Sequence, residues 1–216
     1  MIGPHRLRQR LSQEARLFGP ILNFNSSWFV DICGLIGFDF VFLDVGATGI
    51  QVPHIESAAE AEAAVAAIRY APQGERGLAA STRAAGYGVD TPVPVYMDLA
   101  NREVLFFAMI ETARAVEQVG AIASTEVVDA IVLGPADLSQ SLGFRGDTAA
   151  PAVQDAISRV ITRAKANGKW VALNAMDVAG ARRCLERGAD IVLIGTAGWL
   201  MRTGRNFLTE AQQGLA

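Results

Sequence analysis

Short apolar runs that break off at an acid or a glycine recur along this sequence, separated by helix-like stretches, and nothing else restricts its fold as much. Val104–Ile110 runs into Glu111, and Ala130–Leu133 runs into Gly134-Pro135-Ala136-Asp137. Phe38–Leu43 ends at Asp44, and Asp190–Ile194 ends at Gly195. The runs are nearly continuous rather than alternating, which marks strands buried on both faces of a parallel sheet covered by helices.

The intervening stretches read as those helices. His5–Leu17 is amphipathic, and Trp28–Ile36 is helical up to Gly37. Ser57-Ala58-Ala59-Glu60 is a capping box that opens a helix reaching about Tyr70. Further helices are expected from about Ala113, over Pro151–Ala166 with Asn167-Gly168 as the stop, from Asp177 as N-cap to Gly188, and from the last strand to about Gln213. Pro20–Phe24, Gly49–Pro53 and Trp170–Asn174 complete the strands. Residues 71–94, rich in Gly and Pro, show no period and read as a functional loop.

Two closures fit such a pattern: an open doubly wound sheet or a (β/α) barrel. The open sheet with a nucleotide site needs a glycine fingerprint after an early strand, and Val45-Gly46-Ala47-Thr48-Gly49 imitates it only weakly. Polar residues at several strand ends favour a (β/α)8 TIM-type barrel, with residues 1–216 as a single domain. The count of strands is seven, and a barrel typically takes about 250 residues. One βα unit is therefore expected to be missing. The gap falls after Asp44, where two strands follow each other without the crossover that parallel neighbours need.

Composition removes several classes of function. The chain is 51% hydrophobic with a formal charge of −3, and no basic block or aromatic-basic stripe suggests nucleic acid. No apolar run reaches membrane-spanning length, and the basic N-terminus has no signal core behind it, so a cytoplasmic protein is expected. Cys33 and Cys184 read as separate buried thiols rather than a disulfide or metal site.

Glu111 and Asp137 are hard oxygen donors at the ends of neighbouring strands, suited to a divalent cation. On spacing alone the favoured reading is acids that cap the following helices, Asp137 above all. Gly134-Pro135-Ala136 is either a tight turn or an anion nest of exposed N–H groups. His54, at a strand end, is a candidate stand-in base, and a hydrogen-bonded structural histidine is the favoured reading. Arg76 and Arg83 lie in the long loop; solvation explains Arg83, while Arg76 is either solvated or placed to meet an acidic substrate. Ser81, in the same loop, and Leu173, at a strand end, are candidate substrate contacts, and core packing explains Leu173 as well. Trp199, Leu200 and Met201 are expected to pack helices or subunits. Lys165 and Lys169 flank a helix end, so a Schiff-base lysine is not expected.

Ile110-Glu111-Thr112, Gly134-Pro135-Ala136-Asp137-Leu138-Ser139, Gly49-Ile50-Gln51-Val52-Pro53-His54 and Arg69-Tyr70-Ala71-Pro72-Gln73-Gly74-Glu75-Arg76-Gly77, in this order and spacing, resemble the HpcH/HpaI aldolase family. The resemblance covers nearly the whole chain. It implies a (β/α)8 barrel, usually a homo-hexamer, that cleaves or forms 4-hydroxy-2-oxo acids and 2-keto-3-deoxy sugar acids from pyruvate and an aldehyde. It implies Glu111 and Asp137 as ligands of Mg²⁺, Mn²⁺ or Co²⁺, with the substrate carboxylate on the backbone amides of Ala136 and Asp137. Asp44, the candidate catalytic residue, matches either of two family aspartates that share its Leu-Asp context: the acid before the Glu-His motif, or the one that works with that histidine as the base. The family's Glu-His motif and its strand-end arginine have no counterpart after Asp44. A catalytically impaired oligomeric scaffold, or a citrate-lyase-like enzyme acting on CoA esters, is the alternative.

Overall fold

The computed structural model describes residues 5–13, 16–21, 32, 33, 35, 36, 49–80, 83–89 and 91–213. Among these, six strands form one sheet: β1 (Leu17–Ile21), β2 (Gly49–Val52), β3 (Leu105–Ile110), β4 (Ala130–Leu133), β5 (Trp170–Ala175) and β6 (Ile191–Gly195). The order is β1-β6-β5-β4-β3-β2, with every pair parallel. The expected strand 38–44, and with it the gap after Asp44, lies outside the described residues.

Alternation along the strands divides the core in two. Phe106, Ala108, Ile110, Ile131, Leu133, Val171, Leu173 and Val192 face the helices. Leu17, Leu105, Phe107, Ala130, Val132, Ala172, Ile191 and Leu193 face the other way. Among the described residues only Leu11, from α1 (His5–Ser12), joins that second cluster from outside the strands. Yet Leu105, Ala130 and Leu193 are wholly buried there. A flat sheet would leave such a face wet; this one curls on itself, and the strands cover one another as a six-stranded half-barrel consistent with a TIM-like barrel.

The outer layer comprises α2 (Ala58–Ile68), α3 (Val93–Glu103), α4 (Ala113–Ser124), α5 (Pro135–Ser141), α6 (Pro151–Ala166), α7 (Val178–Glu186) and α8 (Thr196–Gln212). Ser57 caps α2 by accepting from the Glu60 N–H, while the Glu60 carboxylate reaches one residue past the cap to the Glu56 N–H. Asp177 caps α7 as its sequence suggested. Helix α6 stops at Asn167, with Gly168 in the left-handed region at φ +68°. Cys33 and Cys184 are free and buried.

Three boundaries differ from the sequence reading. Helix α1 ends at Ser12 rather than Leu17, because Leu17 is drawn into the sheet, its N–H donating to the Asp190 carbonyl at 3.0 Å. Helix α3 starts at the end of the long loop and runs on to Glu103 before β3, its prolines occupying the helix entrance, where the missing N–H costs nothing. Gly134–Ser139 opens a two-turn helix, and Gly134, not Asp137, stands at its N-cap.

At the N-terminal rim two acids repeat one device. Asp129 accepts from the Phe106 N–H through Oδ2 at 2.8 Å, and its own N–H donates back to the Phe106 carbonyl. Asp190 does the same to Val171, accepting its N–H at 2.8 Å. Each side chain extends the ladder by one rung and fixes the register of its strand against the previous one.

Candidate active site

Parallel strands bring their C-terminal ends to one edge. Ile110 pairs with Leu133, so Glu111 lies level with Gly134 on the adjacent strand. Glu111 continues the inward series Leu105, Phe107 and Met109, and is itself only 4% exposed. Its Oε1 accepts the His54 N–H at 2.9 Å, with the His54 Nδ1 3.7 Å away. A left-handed backbone at His54, φ +55°, turns that N–H toward the carboxylate. Ile55, whose N–H donates to the Met109 carbonyl, and Glu56, which accepts from the Thr112 hydroxyl at 2.6 Å, hold the loop in place.

Gly134 is dictated by this neighbour. A Cβ there would lie 2.7 Å from Glu111 Oε2 and 2.8 Å from Glu111 Cβ. Three residues on, Asp137 sits exposed in the first turn of α5. Pro135 has no N–H, and the first bond of the helix is from Leu138 to the Gly134 carbonyl at 2.9 Å. The N–H groups of Ala136 and Asp137 therefore have no acceptor among the described residues, the usual condition of a helix's first turn.

Glu111, Asp137 and Ala136 thus share one rim, and His54 joins them. Sequence reasoning favoured a structural role for His54, whereas its ring is 70% exposed beside a buried carboxylate. Leu173 is placed elsewhere. It turns outward with Val171 and Ala175 against the helices and lines an open cleft between α6 and α7. The two-residue repeat of the strand gives the inward position to Asn174. Asp44 and Ser81 lie outside the described residues. No group of three or more His, Cys, Asp or Glu side chains converges among the described residues.

The chain's two lysines are both at the opposite rim. Lys165 pairs with Asp190, and the Lys169 ammonium donates to the Thr125 carbonyl at 2.8 Å. Burial lowers the Lys169 pKa, with Asp129 and Glu126 opposing that shift. Neither amine reaches the C-terminal edge.

The loop after α2 is stitched to α3. Asn101 accepts the Tyr70 N–H at 2.7 Å and donates to the Tyr70 carbonyl at 2.9 Å. The Arg76 guanidinium lies 4.6 Å from the centre of the Tyr70 ring. Burial, reinforced by the Tyr96 hydroxyl, pushes the Tyr70 phenol up to about 12, against the pull of Arg76.

A model of the HpcH/HpaI aldolase/citrate lyase family matches residues 33–203. A 5-keto-4-deoxy-D-glucarate aldolase of Escherichia fergusonii is 41% identical over 169 residues, which is 78% of this chain and 65% of that protein. Its counterpart in Citrobacter koseri is 40% identical over the same span. The chain therefore spans somewhat under two thirds of the length of these relatives. Among solved structures, an HpcH/HpaI aldolase/citrate lyase family protein from Burkholderia cenocepacia superimposes with a TM-score of 0.85 at 29% identity, covering 96% of this chain and 99% of the other. An HpcH/HpaI aldolase from Desulfitobacterium hafniense, at 24% identity and a TM-score of 0.81, shares the fold.

Proposed function

The chain belongs to the HpcH/HpaI aldolase/citrate lyase family, and we propose that it is a divalent-metal-dependent aldolase, forming and cleaving 4-hydroxy-2-oxo acids through a pyruvate enolate. One observation carries this reading: Glu111 is buried at a strand end, on the rim it shares with Asp137, without a lysine or arginine partner among the described residues. A buried carboxylate is costly unless a cation compensates it. Two hard oxygen donors on one rim suit Mg²⁺, Mn²⁺ or Co²⁺.

Bound there, such an ion supplies Lewis-acid polarisation of a 2-oxo acid and stabilises the charge left by proton removal. The protein's own part is positional. The His54 N–H holds Oε1 of Glu111 in place, and Gly134 leaves the space that the carboxylate occupies. The free N–H groups of Ala136 and Asp137 are aimed to receive a substrate carboxylate. Schiff-base chemistry has no candidate, because both lysines sit at the far rim.

The test is deuterium exchange of the pyruvate methyl group, followed by NMR with and without added metal. Exchange should require metal and fall on the order of 10²-fold or more in Glu111→Gln and Asp137→Asn. Glu111→Gln keeps an acceptor for His54, so its loss would report the charge. Undiminished exchange in either variant, or exchange in chelator, would refute the assignment. Absent exchange in the metal-loaded wild type would leave an inactive scaffold as the reading. That outcome is the one expected if nothing replaces the family's histidine and arginine.

We also propose a homo-hexamer acting in the cytoplasm. Support for self-association comes from α8, which exposes Leu200, Met201, Phe207 and Leu208. Light scattering on the purified protein measures the assembly.

A further inference from the structure

Asn174 occupies a position that neither the sequence motifs nor the aldolase reading assigns. Val171, Leu173 and Ala175 pack outward under the helices, while Trp170 and Ala172 belong to the inner cluster. Asn174 is therefore the last inward side chain of β5, and it is exposed. Val132 pairs with Ala172, so Asn174 stands level with Gly134, which in turn stands level with Glu111. Strands are about 4.8 Å apart, so Asn174 faces the Glu111 carboxylate across roughly 10 Å, with a bare glycine between them. On the other side Asn174 pairs with Leu193, and the next inward position on β6 is Gly195, where a Cβ would meet nothing within 4 Å among the described residues. A polar side chain thus stands between two vacated positions on the substrate rim.

Its orientation is fixed by chemistry. The Leu133 carbonyl can only accept, and Asn174 Nδ2 donates to it at 3.2 Å. That leaves Oδ1 as the free end, and among the described residues nothing donates to it. An exposed carbonyl oxygen recognises a donor. Among the described residues, no side chain fills the two glycine positions, where the distal carbons of a substrate would lie if its 2-oxo acid end sat at Glu111 and Asp137.

We propose that Asn174 selects the aldehyde partner, its Oδ1 accepting a hydrogen bond from a hydroxyl carried on the aldehyde, so that hydroxyaldehydes are preferred over aliphatic ones. This rests on the aldolase reading above and names the substrate class of that same site. A site built to bond a hydroxyl discriminates against the analogue lacking it, because the protein's polar group is then left unpaired.

The measurement is the ratio of kcat/KM for pyruvate addition to glycolaldehyde against propanal, with metal-loaded protein. Asn174→Ala and Asn174→Leu should lower the ratio roughly 5- to 20-fold, the worth of one hydrogen bond. Asn174→Ser, which restores an acceptor, should recover part of it. Two variants without an acceptor, one small and one bulky, guard against a packing effect. An unchanged ratio in either soluble variant, or no recovery in the serine variant, overturns the assignment. Methyl exchange by the wild type without aldehyde separates the two levels: wild-type exchange with an unchanged ratio sinks Asn174 alone, whereas no exchange sinks both.

Discussion

Replacing Gly134 by alanine adds one methyl group at the most constrained point of the rim. The new Cβ would lie 2.7 Å from Glu111 Oε2 and 2.8 Å from Glu111 Cβ. Carbon contacts are comfortable at about 3.5–4.0 Å, so the intrusion is close to 1 Å. The carboxylate can swing aside, but Glu111 Cβ is tied to the backbone of β3, and therefore β3 and β4 must part. Overpacking of this kind costs about 1–3 kcal/mol. The backbone contributes no penalty, since φ −102° and ψ 80° at Gly134 avoid the left-handed region. Gly195 supplies the control. Its φ is −68° and ψ 106°, and a Cβ there meets nothing within 4 Å. Gly195→Ala should therefore stabilise by about 0.4–1 kcal/mol through the unfolded chain. With urea m-values of about 2–3 kcal/mol/M, the two midpoints should separate by roughly 0.5–2 M. Gly134→Ala should also weaken metal-dependent methyl exchange, because the carboxylate is displaced from its place beside His54. Coincident unfolding midpoints for the two variants would refute the claim that Glu111 and Gly134 are packed against each other.

Two further perturbations test the frame. Asp190→Ala strips the buried Val171 N–H of its acceptor and should cost about 2–3 kcal/mol in urea unfolding. Asp190→Asn, which keeps an acceptor oxygen, should cost distinctly less; equal losses would mean that the ion pairs to Arg16 and Lys165 dominate instead. Tyr70 gives a pH signature. Its pKa is raised to about 12 in the folded chain from an ordinary 10, so the neutral phenol is favoured by folding. That stability is fully present below pH 10 and is lost as pH rises toward about 12. Tyr70→Phe should flatten the corresponding part of the pH dependence of unfolding, and an unaltered profile would refute it.

The architecture was legible because buried parallel strands write themselves as unbroken apolar runs. Glu111 and Asp137, which follow two of those runs, lie at the C-terminal edge of the sheet. What the sequence hid has specific physical causes. Proline punctuates loops and also opens helices, so Pro92 and Pro94 masked α3. Leu17 belongs equally to an amphipathic helix and to a buried strand, and only the bond from its N–H to Asp190 decides. Leu173 and Asn174 differ by one residue, which in a strand is the difference between the helix layer and the mouth. His54 reaches Glu111 through a backbone conformation that its side-chain identity does not announce. The resemblance in the motifs anticipated the family correctly, while Asp44, Ser81 and the interval after Asp44 belong to the part the structure does not describe.

Asp129 and Asp190 fasten their strands at the edge farthest from Glu111. In a mutational scan scored by loss of turnover, both would rank beside Glu111 and Asp137, the proposed metal ligands, since unfolding silences an enzyme as thoroughly as removing a ligand. A scan that also recorded abundance would tell the two rims apart: substitutions at the fastening acids would deplete the protein, and those at Glu111 or Asp137 would leave it plentiful and inert. Grafting new loops onto the rim at Glu111, the proposed site, is accordingly the safer route to altered selectivity, because strand alignment is decided a full strand-length away.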